Sequence, residues 1–166
     1  GGDELVAWLR YVRAVQEACP SDQTEQFALL ERCARRFRSC VALKNDPRYL
    51  RVWIEYADHL TNSGDLFKYL YKNAIGVELA LFWVAWAWVA ETNGDYLLAD
   101  KLYGKATALG ATPVEAVRRR HKEFIRRMSR LWLDQQDRDA GGGGGGGGGD
   151  AAAVAAGLGA AREQRR

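Results

Sequence analysis

Few residues in this chain could do chemistry, and they are scattered. Histidine occurs only at His59 and His121, and cysteine only at Cys19, Cys33 and Cys40. A structural zinc site needs about four ligands in close groups, and no C-x-x-C pair is present. An odd, spread set of cysteines reads as reduced, mostly buried thiols of the cytosol or nucleus. There is no G-x-S-x-G, no phosphate-binding glycine loop and no H-E-x-x-H. The one glycine-rich run, 141–149, precedes neither a strand nor a helix start. The sequence therefore predicts no catalytic residue, no metal and no cofactor.

Binding chemistry is the alternative. Arg32, Arg35, Arg36 and Arg38 form one basic cluster. Arg118 to Arg120 with Arg126, Arg127 and Arg130 form another. No aromatic platform interleaves them, so they read as solvated helix faces and not as a nucleic-acid surface. A net charge of +3 neither demands nor excludes an anionic partner. Of the six tryptophans, Trp8, Trp53 and Trp83 fall at repeat-core positions and Trp86 joins the core. Trp88 is the one expected at the surface, where exposed aromatics anchor partners. His59 and His121 read as surface or cap residues. Cys33 and Cys40 are expected to share the buried face of one helix.

Positioning these residues is the work of helices. Leu5, Trp8, Leu9, Val12 and Val15 make a helical apolar stripe, stopped by Pro20. Asp22 with Glu25 reads as an N-cap pair. The helix after it is expected to reach about Val41, with Phe27, Leu30, Ala34, Phe37 and Val41 inward. Asp46-Pro47 joins a capping acid to a proline at the first helical position. That helix carries Leu50, Trp53, Ile54, Ala57 and Leu60 and closes near Asn62-Ser63-Gly64. A short helix from Asp65 to Lys72 follows, then an apolar one from Glu78 to Thr92. Tyr96 to Leu109 ends at Gly110 in the C′ position. Thr112-Pro113-Val114-Glu115 opens a last helix to about Leu133.

Repetition orders these elements. W-x-x-Y appears at Trp8/Tyr11 and Trp53/Tyr56, with a related Trp83/Trp86. Gly76 and Gly110 stand 34 positions apart, the tetratricopeptide (TPR) period. Small residues, Ala99 and Ala106, sit where a second helix of a pair needs them. One such repeat cannot bury its own apolar face, so stacked pairs share a core. The predicted fold is all-α: a TPR-like right-handed stack of about three helical pairs plus a C-terminal capping helix.

The folded unit is expected over 3–134, with 135–166 a Gly/Ala-rich tail or linker. The stretch from 141 onward is read as disordered, because glycine pays the largest backbone entropy and buries no side chain. Gly1 to Arg10 carries acids and an arginine and lacks a leader's apolar core. The most apolar stretch, Leu79 to Ala90, is shorter than the roughly 20 residues of a bilayer span. No membrane partner is expected.

Several segments are specific enough to carry a resemblance. They are WLRYVRAVQEACP from Trp8, LLERC from Leu29 and KNDPRYLRVWIEYA from Lys44. LFKYLYKNAIGVELALFWVAWAWVAE from Leu66, ADKLYGKATALGATP from Ala99 and HKEFIRRM from His121 continue it. Over about 8–130 the chain resembles the N-terminal homology domain (Mad/Bub homology region I) of the Bub/Mad spindle-checkpoint family. The resemblance implies a non-catalytic interaction module of a mitotic protein, in the nucleus and at kinetochores in mitosis, and in the cytoplasm. It implies docking of a short amphipathic helix from an outer-kinetochore scaffold on a face made by early helices. Other checkpoint proteins and the anaphase-promoting-complex activator are further implied partners. Glu31, Trp53 and Tyr56 transfer by motif as peptide-binding residues, and His59 extends that stripe by one helical step. The Lys-Glu-Asn box of the family's inhibitor branch is absent, as is any kinase signature. Two alternatives stand beside this reading: a scaffold of half-a-TPR repeats in RNA processing, and the regulatory front of a checkpoint serine/threonine kinase.

Overall fold

The computed structural model describes residues 2–141. Among the described residues seven α-helices form, in chain order: α1 (Gly2–Ala18), α2 (Gln23–Arg36), α3 (Pro47–Asp58), α4 (Gly64–Lys72), α5 (Ala80–Thr92), α6 (Tyr96–Leu109) and α7 (Val114–Gly141). A 3-10 turn at Val41–Leu43 links α2 to α3. There is no strand among the described residues, only one isolated bridge between Leu79 and Thr112. α1 packs on α2, α2 on α3, α4 on α5 and α5 on α6, with α7 closing the end against α5 and α6, while α3 and α4 meet through the Trp53 and Tyr69 rings. This is the predicted TPR-like stack. No helix among the described residues is long and apolar enough to cross a membrane.

Capping acids start three of the helices, at Asp22 and Asp46 as the sequence implies and also at Asp95, whereas Thr112 turns its hydroxyl to the Glu78 carbonyl at 3.4 Å instead of capping α7. Asp22 accepts from the Glu25 amide at 3.0 Å, Asp46 from Arg48 at 2.9 Å, and Asp95 from Leu98 at 3.0 Å. Each satisfies an amide that a helix N-terminus leaves without an intrahelical partner. Gly110 closes α6 in the left-handed conformation at φ 67°.

Four boundaries differ from expectation. α2 stops at Arg36 rather than near Val41, because the chain turns there to enter the 3-10 segment. Val41 is therefore 78% exposed instead of inward. Cys40 lies past the helix and is half-buried, while Cys33 is buried within α2, so the two do not share one helical face. α3 ends at Asp58 with His59 as its C-cap, a few residues before Asn62. α5 begins at Ala80 rather than Glu78, because backbone at Glu78 and Ala80 bonds across to Thr112 at 2.9 and 2.7 Å. Finally α7 passes Leu133 and runs to Gly141. The expected boundary at 134/135 thus falls inside a helix. Beyond Gly141, the tail assignment lies outside the described residues.

The K-N-D-P segment has a structural job. Lys44 Nζ donates to the Asn73 carbonyl at 3.0 Å. The Lys44 carbonyl accepts from the Gly76 amide at 2.7 Å, and Asn45 Oδ1 accepts from the Glu78 amide at 3.3 Å. The start of α3 is thereby tied to the α4–α5 turn, while Asp46 caps α3. The I-G-V segment at Ile75–Val77 is the other half of this clamp, and the Val77 carbonyl accepts from Trp83 Nε1 at 2.9 Å.

One core runs through the stack. Leu5, Leu30, Tyr49, Phe67, Trp83 and Phe124 are buried in it, one or more from nearly every helix. Trp86 is buried and Trp88 is 59% exposed, as their positions on α5 suggest. His121 departs from its surface reading: Nε2 lies 2.7 Å from Asp100 Oδ1 on α6, and the ring stacks on Tyr103 at 5.0 Å. Tyr49 donates its hydroxyl to the Ala34 carbonyl at 2.6 Å, and burial pushes its pKa up to about 12. The ordinary tyrosine value is about 10, so the folded state holds this proton more tightly than the unfolded chain. The resulting stability is fully present below about pH 10 and is lost as pH rises toward about 12. Chemical unfolding across pH 9–12 should show that decline, and Tyr49→Phe should flatten it. An equally steep decline in Tyr49→Phe would assign it to other groups.

Candidate peptide-binding cleft

A cleft of about 250 Å³ opens between α2, α3 and α4, lined by Glu31, Ala34, Arg35, Arg38, Trp53, Tyr56, Leu66 and Tyr69. Its aromatic wall follows from spacing. Trp53 and Tyr56 are three apart on α3, and Leu66 and Tyr69 are three apart on α4, so each pair shares a helix face. Trp53 packs against Tyr69 at 5.9 Å and edge-on to Tyr56 at 6.2 Å. Tyr56 in turn stacks on Phe27 of α2 at 5.1 Å and 24°. Such offset and edge contacts are the arrangements aromatic rings prefer, and they fix the wall's geometry.

The rim is polar. Glu31 pairs with Arg35 at 2.7 Å along α2, and Arg38 follows in the turn beyond the helix. Burial raises the Tyr56 hydroxyl pKa, and the Glu31 carboxylate adds to the rise. Tyr56 therefore stays a neutral hydroxyl able to donate or accept at physiological pH. Trp53 Nε1 is the buried side-chain polar atom without a hydrogen-bond partner among the described residues. The neighbouring Tyr49 hydroxyl feels that N–H but falls short of hydrogen-bond geometry with it.

Three of the four expected site residues, Glu31, Trp53 and Tyr56, meet in this cleft. Trp53 is only 4% exposed, so it forms the floor and does not present a free edge. His59 does not line the cleft; it caps α3 and sits edge-on to Phe27 at 6.0 Å, beside the Phe27–Tyr56 stack. Leu66, Tyr69, Arg35 and Arg38 were not singled out from the sequence as site residues. The i, i+3 apolar pair on the short α4 was the available signal, but which helix it faces is a tertiary fact. The arrangement suits burying apolar side chains beside polar groups that fix their register. No group of three or more His, Cys, Asp or Glu among the described residues comes together as a metal site.

Comparison with known proteins agrees with the fold. The family described as Mad3/BUB1 homology region 1 matches residues 1–107. The mitotic spindle checkpoint protein BUBR1 of Arabidopsis thaliana is 32% identical over 132 residues, covering 78% of this chain and 33% of that protein. The mitotic spindle checkpoint component mad3 of Schizosaccharomyces pombe is 30% identical over 135 residues, covering 80% of this chain and 42% of that protein. A chain in the crystal structure of a mitotic checkpoint complex superposes with a TM-score of 0.73 at 30% identity, covering 80% of this chain and 61% of that chain. The chain thus spans about a third and about two fifths of the length of these two curated relatives. Its matched segment and its helical stack lead to one assignment: the chain belongs to the Mad3/BUB1 homology region 1 family of spindle-checkpoint proteins.

Proposed function

We propose that this domain is a peptide-docking module of the spindle checkpoint, whose α2–α3–α4 cleft receives a short amphipathic helix of an outer-kinetochore scaffold. The observation that carries the reading is the convergence of Glu31, Trp53 and Tyr56, from two helices, on one cleft with an apolar wall and a charged rim. An amphipathic helix anchors through apolar residues at i, i+3, i+4 and i+7. The Tyr56, Leu66 and Tyr69 surfaces offer such anchors a seat, and Glu31, Arg35 and Arg38 offer partners to the polar face. Family membership favours this reading over an RNA-processing scaffold. Nuclear and kinetochore residence in mitosis, and association with other checkpoint proteins or the anaphase-promoting-complex activator, belong to the same proposal.

Titration calorimetry with a kinetochore-scaffold helix peptide tests it. Tyr56→Ala is expected to weaken binding by about 1–2 kcal/mol, as a partial hot spot does. Glu31→Ala is expected to cost less, since a rim charge mainly sets register and association rate. A melting curve for each variant separates lost contact from lost fold. Unchanged affinity in a folded Tyr56→Ala protein would remove this cleft as the docking site. A wild-type domain that bound no such peptide would end the proposal.

A further inference from the structure

The exposed side of α7 carries an unusual charge distribution. Between residues 118 and 130 seven Arg or Lys side chains face the single acid Glu123. Three of the seven are engaged: Arg118 with Glu115 at 2.7 Å, Arg120 with Glu123 at 3.2 Å, and Arg127 with Glu91 at 2.7 Å. The other four, Arg119, Lys122, Arg126 and Arg130, are exposed. They pair with no carboxylate among the described residues. Their spacing is i, i+3, i+7 and i+11. At 3.6 residues per turn this places them within about 80° of arc, in a rail about 16 Å long.

A second rail runs beside the first. Ile125 and Trp132 are 41% and 42% exposed and, seven apart, lie on one helix face. Isolated exposed apolar residues need no explanation. Here they stand in line with a row of cations that lack acidic partners, on a helix whose opposite side packs on the core through Val117, Phe124 and Met128.

We infer that this side of α7 is a second docking surface, separate from the α2–α3–α4 cleft, for an acidic amphipathic protein segment. The partner would place carboxylates along Arg119, Lys122, Arg126 and Arg130 and lay apolar side chains over Ile125 and Trp132. Charge complementarity sets the sign of the partner, and the apolar rail sets its class. A nucleic-acid backbone would use the cations alone and leave the apolar rail in water.

Fluorescence anisotropy with the full chain tests this, using two labelled probes. One is an 18-residue peptide designed with Glu along one edge and Leu at i, i+3 and i+7. The other is a 20-nucleotide single-stranded DNA. The peptide is expected to bind more tightly than the DNA at physiological salt and to weaken as salt rises. Arg126→Glu with Arg130→Glu should weaken the peptide by about tenfold or more, and Trp132→Ser by about threefold or more. Tyr56→Ala should leave this affinity unchanged, which separates the surface from the cleft and makes the two proposals fail independently. These α7 positions are exposed, so thermal melts of the variants should match the parent. The inference is overturned by tighter binding of DNA, by peptide affinity indifferent to the charge reversal, by loss of binding in Tyr56→Ala, or by no binding of the peptide.

Discussion

Trp86→Ala is expected to lower the unfolding free energy by about 3–5 kcal/mol, as truncation of a large buried aromatic does. Trp86 is 8% exposed and holds together rings from two helices. It lies parallel to Phe67 of α4 at 6.2 Å and 11°, and it meets Tyr71 of α4 at 6.3 Å. On α5 itself it packs on Phe82 at 5.7 Å and stacks with Trp83 at 6.2 Å. Its aromatic neighbours among the described residues are all on α4 and α5, so the loss should fall on the joint between the second and third helical pairs. A small domain is stable by only about 5–15 kcal/mol. The melting temperature should therefore drop on the order of 10–20 °C. Trp88→Ala, two residues along, is the control. Its ring is exposed and its recorded partner is the Arg127 guanidinium 5.9 Å away, a contact worth about 0.5–1 kcal/mol. Calorimetric melts of both variants decide the matter. Near-parental stability for Trp86→Ala, or an equal loss in both, would contradict the packing described above.

Gly76→Ala should cost about 2–5 kcal/mol, far more than a methyl group on a surface turn. Two effects add. Gly76 holds φ +76°, a left-handed conformation that strains a residue with a Cβ by about 1–2 kcal/mol. A Cβ built there would also stand 2.7 Å from Leu50 Cδ1, inside the core, where Leu50 is fully buried. Forcing extra volume into a packed site costs about 1–3 kcal/mol. The same turn receives the Lys44 carbonyl at 2.7 Å, so a shift to relieve the clash would strain the clamp at the start of α3. Gly94 isolates the first effect: its φ is +78°, but a Cβ there meets nothing within 4 Å. Gly94→Ala should thus lose only the conformational part, about 1–2 kcal/mol. Urea unfolding of the two variants measures the difference, and equal midpoints would leave no role for the Leu50 contact.

The sequence by itself determined the elements and their order. Capping acids at Asp22 and Asp46, the N1 proline at Pro47 and the left-handed Gly110 are local chemistry, legible because each satisfies or breaks the backbone within a few residues. The α5 tryptophans were legible as well: a helix apolar almost all round must bury most of its surface, and the polar neighbours of Trp88 mark the side left open. The 34-residue spacing of Gly76 and Gly110 carried the repeat. The K-N-D-P and I-G-V segments carried the family, although nothing in the order of their residues said that they bond to each other.

Only the tertiary structure decided the rest. That α2 would stop at Arg36 and throw Val41 into solvent depends on where the chain must turn to start α3. The late start of α5 depends on Thr112, more than thirty residues away. The length of α7 beyond Leu133 was hidden because no proline or capping signal marks its end, and the helix runs on to Gly141 with Leu131, Trp132 and Leu133 about half exposed. The cleft was half legible. Motif resemblance named Glu31, Trp53 and Tyr56, but Leu66, Tyr69 and Arg38 became its walls only when α4 and the α2–α3 turn closed on it. His59 missed the cleft for the same kind of reason: the helical stripe that extends from Tyr56 ends with α3 at Asp58, and the ring turns onto Phe27. Side chains on one helix share a face by arithmetic, but a site is made by the helix that comes to stand opposite, and that is fixed by packing.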